Sequence, residues 1–417
     1  MFRNHKVLGW ALYDWANSAF ATTVLAGFFP ILFKEYWNAG VDAATSTARL
    51  GDASSLASLI VAILAPLLGA IADRAGRRKA GLFAFTLLGV VMTGALGMVE
   101  KGHWQLASLC FVLAQIGFAG GLGFYDSLLL NVAPPADYER VSSLGYSLGY
   151  LGGGVLFAVN VAMVLMPVTF GFEDGSAAAR FAFFTVAAWW AIFALPLFFW
   201  VPEPRPDSRL SVGMAVRGGL RELGQTLRHI TKTRHIALFL LAYWFYIDGV
   251  DTFIRMAVDY GLSLGFKSGD LISALLIVQF VGFPAALGFG WLGQRIGPKA
   301  GIYIALAVYA GVTVWATQME TVRQFYLLAV FIALVQGGVQ ALSRAYYARL
   351  IPADKAGEFF GFYNMLGKFA AVIGPWLMGM VTLATGDVRI GLASILILFG
   401  VGGGLLFFVR APIDTQS

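Results

Sequence analysis

Few ionisable side chains stand inside the long apolar runs of this sequence: Asp14, Asp126, Asp248, Asp251, Arg255, Asp259, Arg344 and Lys368. A charge amid hydrocarbon costs roughly 2.5–3.5 kcal/mol on insertion scales, so each of these groups is a candidate for ion pairing, ligand binding or proton carriage. Asp251, Arg255 and Asp259 follow at steps of four, with Asp248 three before Asp251, which makes one charged stripe on one helix face. An ion-pair ladder along that face would neutralise Arg255 and leave Asp248 as the extra acid. Asp126 and Arg344 lie nine and eight residues before Pro135 and Pro352, at similar depths in their runs, and their opposite signs suit a pair across a central axis. Partners within their own halves of the chain are the other option.

Asp14 has Trp10, Tyr13, Trp15 and Asn17 around it. Aromatic faces, an amide and one acid can hold a small polar or zwitterionic ligand, the acid facing an ammonium group. Anchoring at a membrane surface, where Trp and Tyr collect, is the competing role, and it suits Trp10 and Trp15 better than Tyr13. Gln115, Gln336, Gln340, Tyr363 and Asn364 could line the same cavity as neutral hydrogen-bonding groups. The candidate substrate or proton site is therefore Asp14, Tyr13, Asn17, Asp126, Asp248, Asp251, Arg255, Gln336, Gln340, Arg344, Asn364 and Lys368.

The remaining chemistry is sparse. His5, His103, His229 and His235 fall in loops or at helix ends, and Cys110 is the one cysteine, so no intramembrane histidine relay, disulfide framework or thiolate metal cluster is expected. Neither a phosphate-binding Gly-x-x-x-x-Gly-Lys-Ser/Thr loop, nor His-Glu-x-x-His, nor a Gly-x-Ser-x-Gly elbow occurs, which argues against ATP-driven pumping and against an enzyme. No metal and no cofactor are expected.

These groups need elements that hold them inside a membrane. Apolar residues make up 59% of the chain and charged residues 12%, far from the roughly 25% charged of soluble domains. Twelve runs reach the about 20 apolar residues that a membrane-spanning helix needs, and all are too long for barrel strands. With the N-terminus on the cytoplasmic side, 19 of the 29 Lys and Arg fall to that side, 7 to the other and 3 within the spans. Both termini are then cytoplasmic. The net charge of +6 follows from this retention and from the anionic inner leaflet, and implies no nucleic-acid partner.

The apolar signal stops between Pro202 and His235, where Leu220, Leu223, Leu227 and Ile230 recur at helical spacing among seven Arg and Lys. This predicts an amphipathic helix on the inner membrane face in a linker over 202–235, between six-helix bundles at 1–201 and 236–417. A partner-binding helix would show the same pattern. The two halves repeat: Trp10-x-x-x-Asp14-x-x-Asn17 against Trp244-x-x-x-Asp248-x-x-Asp251, and Pro135-Ala136-Asp137 against Pro352-Ala353-Asp354. Such duplication is the architecture of transporters that rock about a central site. Gly145, Gly149 and Gly153, with Gly117 and Gly121, mark close helix packing or hinges.

Between the second and third runs lies Gly69-Ala70-Ile71-Ala72-Asp73-Arg74-Ala75-Gly76-Arg77-Arg78, and half a chain later its degraded copy Gly290-Trp291-Leu292-Gly293-Gln294-Arg295-Ile296-Gly297-Pro298-Lys299. In these turns the chain resembles the major facilitator superfamily, which implies an all-α polytopic fold of twelve transmembrane helices in two pseudo-symmetric bundles. The resemblance also implies a gating role for Gly69, Asp73, Arg74, Gly76, Arg77 and Arg78, with Asp73 near the start of helix eleven around Glu358–Gly361. Arg74, Arg77 and Arg78 are expected on the inner surface with Asp137 or Glu139 as partners. Gln294 and Pro298 replace an Asp and an Arg in the second copy, so a charge-dependent role is not expected there.

The stretch Trp10-Ala11-Leu12-Tyr13-Asp14-Trp15-Ala16-Asn17, continuing to Val24, is similar to the opening of the vacuole-effluxer (autophagy-related) branch. That branch implies amino-acid export from the vacuole in fungi, and the short ends and lean middle loop resemble its bacterial members. The expectation is a monomeric secondary transporter in the bacterial cytoplasmic membrane. It would move a small polar solute, of which an amino acid is the leading class, with protons as the candidate coupling ion. Carriage of a sugar, organic acid, lipid or drug-like solute, or a non-transporting scaffold or sensor, are the alternatives.

Overall fold

The computed structural model describes residues 4–41, 43–75, 77–203, 228, 230 and 232–410. Twelve long helices follow in order: α1 (His5–Trp37), α2 (Ala43–Ala75), α3 (Arg78–Leu96), α4 (Trp104–Ser127), α5 (Tyr138–Leu165), α6 (Gly175–Trp200), α7 (Arg234–Ser263), α8 (Ser268–Ile296), α9 (Pro298–Ala316), α10 (Val322–Leu350), α11 (Ala356–Thr385) and α12 (Val388–Phe407). Eleven are long and apolar enough, among the described residues, to cross a membrane. In the twelfth, α11, the described side chains include the apolar stretch Ile373–Thr385. The expected linker helix, with Leu220, Leu223 and Leu227, lies outside the described residues.

Capping fixes where the helices begin. Asn4 accepts from Lys6 N at the start of α1, Asp174 from Ala177 N at α6, and Thr321 with Gln324 forms a capping box at α10. Within α1 the backbone widens into π-type turns over Phe20–Phe28, where Thr22 Oγ1 donates to Ser18 O (3.0 Å) and Gly153 O (3.3 Å). Large apolar side chains such as Leu59, Ile63, Phe199 and Leu383 remain outward on the bundle surface, as a lipid-facing surface requires.

Glycine sets the helix approaches. The Gly145, Gly149 and Gly153 stripe of α5 lies on α1: a Cβ at Gly149 would stand 2.6 Å from Ser18 Oγ, and one at Gly153 3.0 Å from Ser18 O. Gly117 lies on the backbone of α3 at Gly89. Without a hydrophobic drive between helices in lipid, this close backbone contact is what brings them together.

The end of the bundle that carries the basic turns is shut by contacts between the halves. Gly69 of α2 rests on Gly357 O and Glu358 of α11, and a Cβ at Gly361 would fall 2.7 Å from Ala65 O. In the pseudo-symmetric place, Gly290 of α8 faces Ser143 of α5, and Gly293 faces Glu139. The last residues of the turns also tie each half to itself. Lys79 Nζ, at the second position of α3, donates to Phe198 O (2.6 Å) and Val201 O (2.8 Å) at the end of α6. Lys299 Nζ, at the second position of α9, donates to Phe407 O (2.9 Å) and Val409 O (2.8 Å) at the end of α12. Both lysines meet helix C-terminal carbonyls, where cations are favoured.

Candidate substrate site between the halves

A cavity of about 450 Å³ lies between the two halves, within the roughly 300–1,000 Å³ of small-molecule sites. Its polar end, toward the basic turns, is built by Asp14 and Asn17 of α1, Asp126 of α4, Tyr146 of α5, Gln340 and Arg344 of α10 and Asn364 of α11. Asp251 of α7 and Gln336 of α10 also line it, and the opposite end is mostly apolar, with Phe157, Leu271, Phe325 and Leu328.

Arg344 organises the polar end. Its Nη1 donates to Asp126 Oδ1 at 3.0 Å, its Nε to Ser142 Oγ at 2.9 Å and its Nη2 to Ser142 O at 2.8 Å, while Asp14 Oδ2 stands 3.6 Å from Nη2. Every one of these partners belongs to the other half of the molecule. The guanidinium also lies 4.4 Å from the ring centre of Tyr146, 4.8 Å from Trp10 and 5.5 Å from Tyr125, distances at which an aromatic face attracts a cation. A buried charge is stable only with this kind of pairing and hydrogen bonding.

The two acids on Arg344 are held differently. Both oxygens of Asp126 are engaged, Oδ1 by Arg344 and Oδ2 by Asn364 Nδ2 at 2.9 Å. Asp14 takes the Tyr125 hydroxyl on Oδ2 at 2.8 Å, and among the described residues no hydrogen bond reaches its Oδ1. Gly145 makes the room for this carboxylate, since a Cβ there would lie 2.6 Å from Asp14 Oδ2. Asn17, 2% exposed one turn further along α1, has an Nδ2 without a partner among the described residues.

Several residues stand elsewhere than the sequence pattern suggested. Trp10 does not anchor a membrane surface: it is fully buried, donates its indole N–H to Tyr125 O (2.9 Å) and stacks on Tyr125. Tyr13 is buried behind the cavity, hydrogen-bonded to Thr86 at 2.8 Å. Asp248 does not line the cavity but is turned toward α11, whereas Asp251, its neighbour on α7, does line it. Gln115 is buried away from the lining, its Oε1 without a partner among the described residues. The side chains of Asp73, Arg74, Arg255, Asp259 and Lys368, and all of Gly76, lie outside the described residues.

At the basic-turn end, Arg77 is exposed, whereas Arg78 is buried and reaches Asn131 Oδ1 (3.3 Å) and the carbonyls of Ala353 and Asp354 (both 3.4 Å) in the opposite half. The acids expected to meet these arginines are engaged by others. Arg349 Nε and Nη2 donate to Glu139 Oε1 and Oε2, each at 2.8 Å, and Gln294 Nε2 donates to Ala136 O (3.1 Å) and Asp137 Oδ1 (3.3 Å). The degraded turn thus keeps its cross-half contact with an amide in place of a charge.

Ser142, Tyr146 and Tyr125 were absent from the sequence-derived set. Ser142, Tyr146 and Tyr150 recur at steps of four on α5, as Gln336, Gln340 and Arg344 do on α10, so a polar stripe interrupting an apolar helix was the available signal.

Comparison with known proteins agrees with this architecture. At 39% identity over 98% of this chain and 95% of the relative, the sequence is similar to an uncharacterized MFS-type transporter, YxiO, of Bacillus subtilis (strain 168). It is 23% identical over 93% of its length to Autophagy-related protein 22 of Eremothecium gossypii, of which the match covers 87%. The fold matches crystal structures of the human organic anion transporter MFSD10 (TM-score 0.73, 16% identity, 97% of this chain and 99% of that one) and of the transporter FucP in the outward conformation (TM-score 0.72, 13% identity, 98% and 100%). Residues 43–133 and 135–414 match the family described as Vacuole effluxer Atg22 like, and the chain belongs to that family of major facilitator transporters.

Proposed function

We propose that this transporter carries a small polar solute, an amino acid being the favoured class, by alternating access with protons as the coupling ion. One observation supports this reading above the rest: Asp14 presents an unshared carboxylate oxygen at the polar end of the cavity, beside the orphan amide of Asn17 and the aromatic ring of Tyr146. An ammonium group suits that oxygen, and a carboxylate or carbonyl suits the amide. With both carboxylates ionised, Asp14 and Asp126 leave one negative charge uncompensated by Arg344, which a proton or an ammonium group neutralises.

The contacts between halves at the basic-turn end favour a state closed there, and the Lys and Arg asymmetry favours assigning that end to the cytoplasm of a bacterial cell. Release to that side requires Arg344 to leave its partners across the interface, so neutralising Asp14 lowers what holds the gate.

A thermal-shift screen of the purified protein against amino acids, peptides, sugars, organic acids and lipids tests the substrate class. The expected result is a stabilising amino acid whose effect disappears in Asp14→Asn. Stabilisation by another class alone, or a hit that Asp14→Asn leaves intact, sinks the reading.

A further inference from the structure

Asp248 of α7 is fully buried and faces no other charge along its hydrogen bonds. Both its oxygens accept from the backbone N–H of Gly374 in α11, at 3.0 and 3.1 Å, and its Oδ1 also accepts from Thr252 Oγ1 at 3.1 Å. Gly374 is followed by Pro375, which lies inside α11, has no N–H to give the helix and sets its ring against the preceding turn. The absence of a side chain at Gly374 is what admits the acid: a Cβ there would run into Thr252 Oγ1 and lie 2.8 Å from Asp248 Oδ1.

We propose that Asp248 is a positioning residue that accepts the backbone N–H of Gly374 across the helix interface, beside the proline of α11, as a carboxylate accepts a backbone N–H at a helix start. It holds α11 against α7 at Gly374, about two turns beyond the cavity-lining Tyr363, Asn364 and Gly367. In this role the acid serves as an acceptor rather than as a proton carrier, and Asn in its place retains one acceptor for Gly374.

Hydrogen exchange at the Gly374 amide and cysteine labelling at Thr385, both independent of any substrate, test this in Asp248→Asn and Asp248→Ala. Asp248→Ala is expected to speed exchange at Gly374 about tenfold or more, the scale set by losing one charge-assisted hydrogen bond, and to change labelling at Thr385. Asp248→Asn is expected to retain most of the protection, wild-type labelling, and any response of uptake to an imposed pH gradient. Unchanged exchange in the Ala variant overturns the positioning role. Gradient-driven uptake lost in the Asn variant with Gly374 still protected overturns it too, and makes Asp248 a proton carrier. Should Asp248→Ala fail to fold, Thr252→Val, which removes the second hydrogen bond to Asp248, is expected to raise Gly374 exchange by a smaller factor. No change there counts against the proposal.

Discussion

Arg349 of α10 grips Glu139 of α5 through two parallel N–H···O bonds of 2.8 Å, and this pair joins the two halves at the end where the basic turns lie. Glu139 is buried and Arg349 only partly so. Together with Arg344 on Ser142, it makes α10 hold the first turns of α5 at two points.

Breaking the outer of those points should loosen the gate without emptying the substrate site. Glu139→Gln is expected to increase labelling, from the basic-turn side, of a cysteine placed at Gly367 in the cavity. The combined Glu139→Arg and Arg349→Glu exchange should return labelling toward wild type, since a cycle isolates the pairwise term. Labelling that ignores Glu139→Gln would mean the glycine contacts alone close this end.

Asp126 and Arg344 should couple strongly. Removing one member of a buried pair leaves the other charge uncompensated, at a cost of about 3–5 kcal/mol. Thermal unfolding of Asp126→Asn, Arg344→Gln and the double variant is expected to show the double variant more stable than the sum of the single losses. Additive losses would place the two residues in separate networks.

In liposomes Asp14→Asn is expected to abolish accumulation driven by a pH gradient and, because the solute's ammonium group loses its acceptor, to weaken exchange of labelled solute as well. Uptake by the wild type that ignores the gradient would remove proton coupling and leave facilitated diffusion or another ion.

Gly145→Ala tests the seat of the Asp14 carboxylate. The added methyl would crowd Asp14 Oδ2, Trp10 and the Tyr125 hydroxyl, and overpacking of this kind costs about 1–3 kcal/mol. A lowered melting temperature together with weaker solute binding is expected. Normal stability and binding would show that the site adjusts freely.

Much of this arrangement was legible in the residues, but unevenly. Helix number follows from hydropathy, and the near-equal distances of Asp126 and Arg344 from Pro135 and Pro352 made their meeting one of two options. The repeat also misled: Trp10-x-x-x-Asp14 and Trp244-x-x-x-Asp248 match in spacing, yet Asp14 lies opposite Gly145, ten residues after Pro135, and Asp248 opposite Gly374, twenty-two after Pro352. Periodicity gives the face of a helix and says nothing of which neighbour occupies that face or at what depth. The bond between Arg349 and Glu139 was hidden for a related reason. Charges at helix ends look like solvated surface until the opposite half is laid against them.

The lysines that cap α6 and α12 bear on how force travels through the molecule. Each ties the helix that starts at a basic turn to the last helix of the same half. Were a turn to move during transport, the helix tied to it would move too, along with its outward apolar side chains, Phe199 in one half and Phe407 in the other. Such a coupling would let the thickness of the surrounding bilayer bear on the same motion as the solute in the cavity.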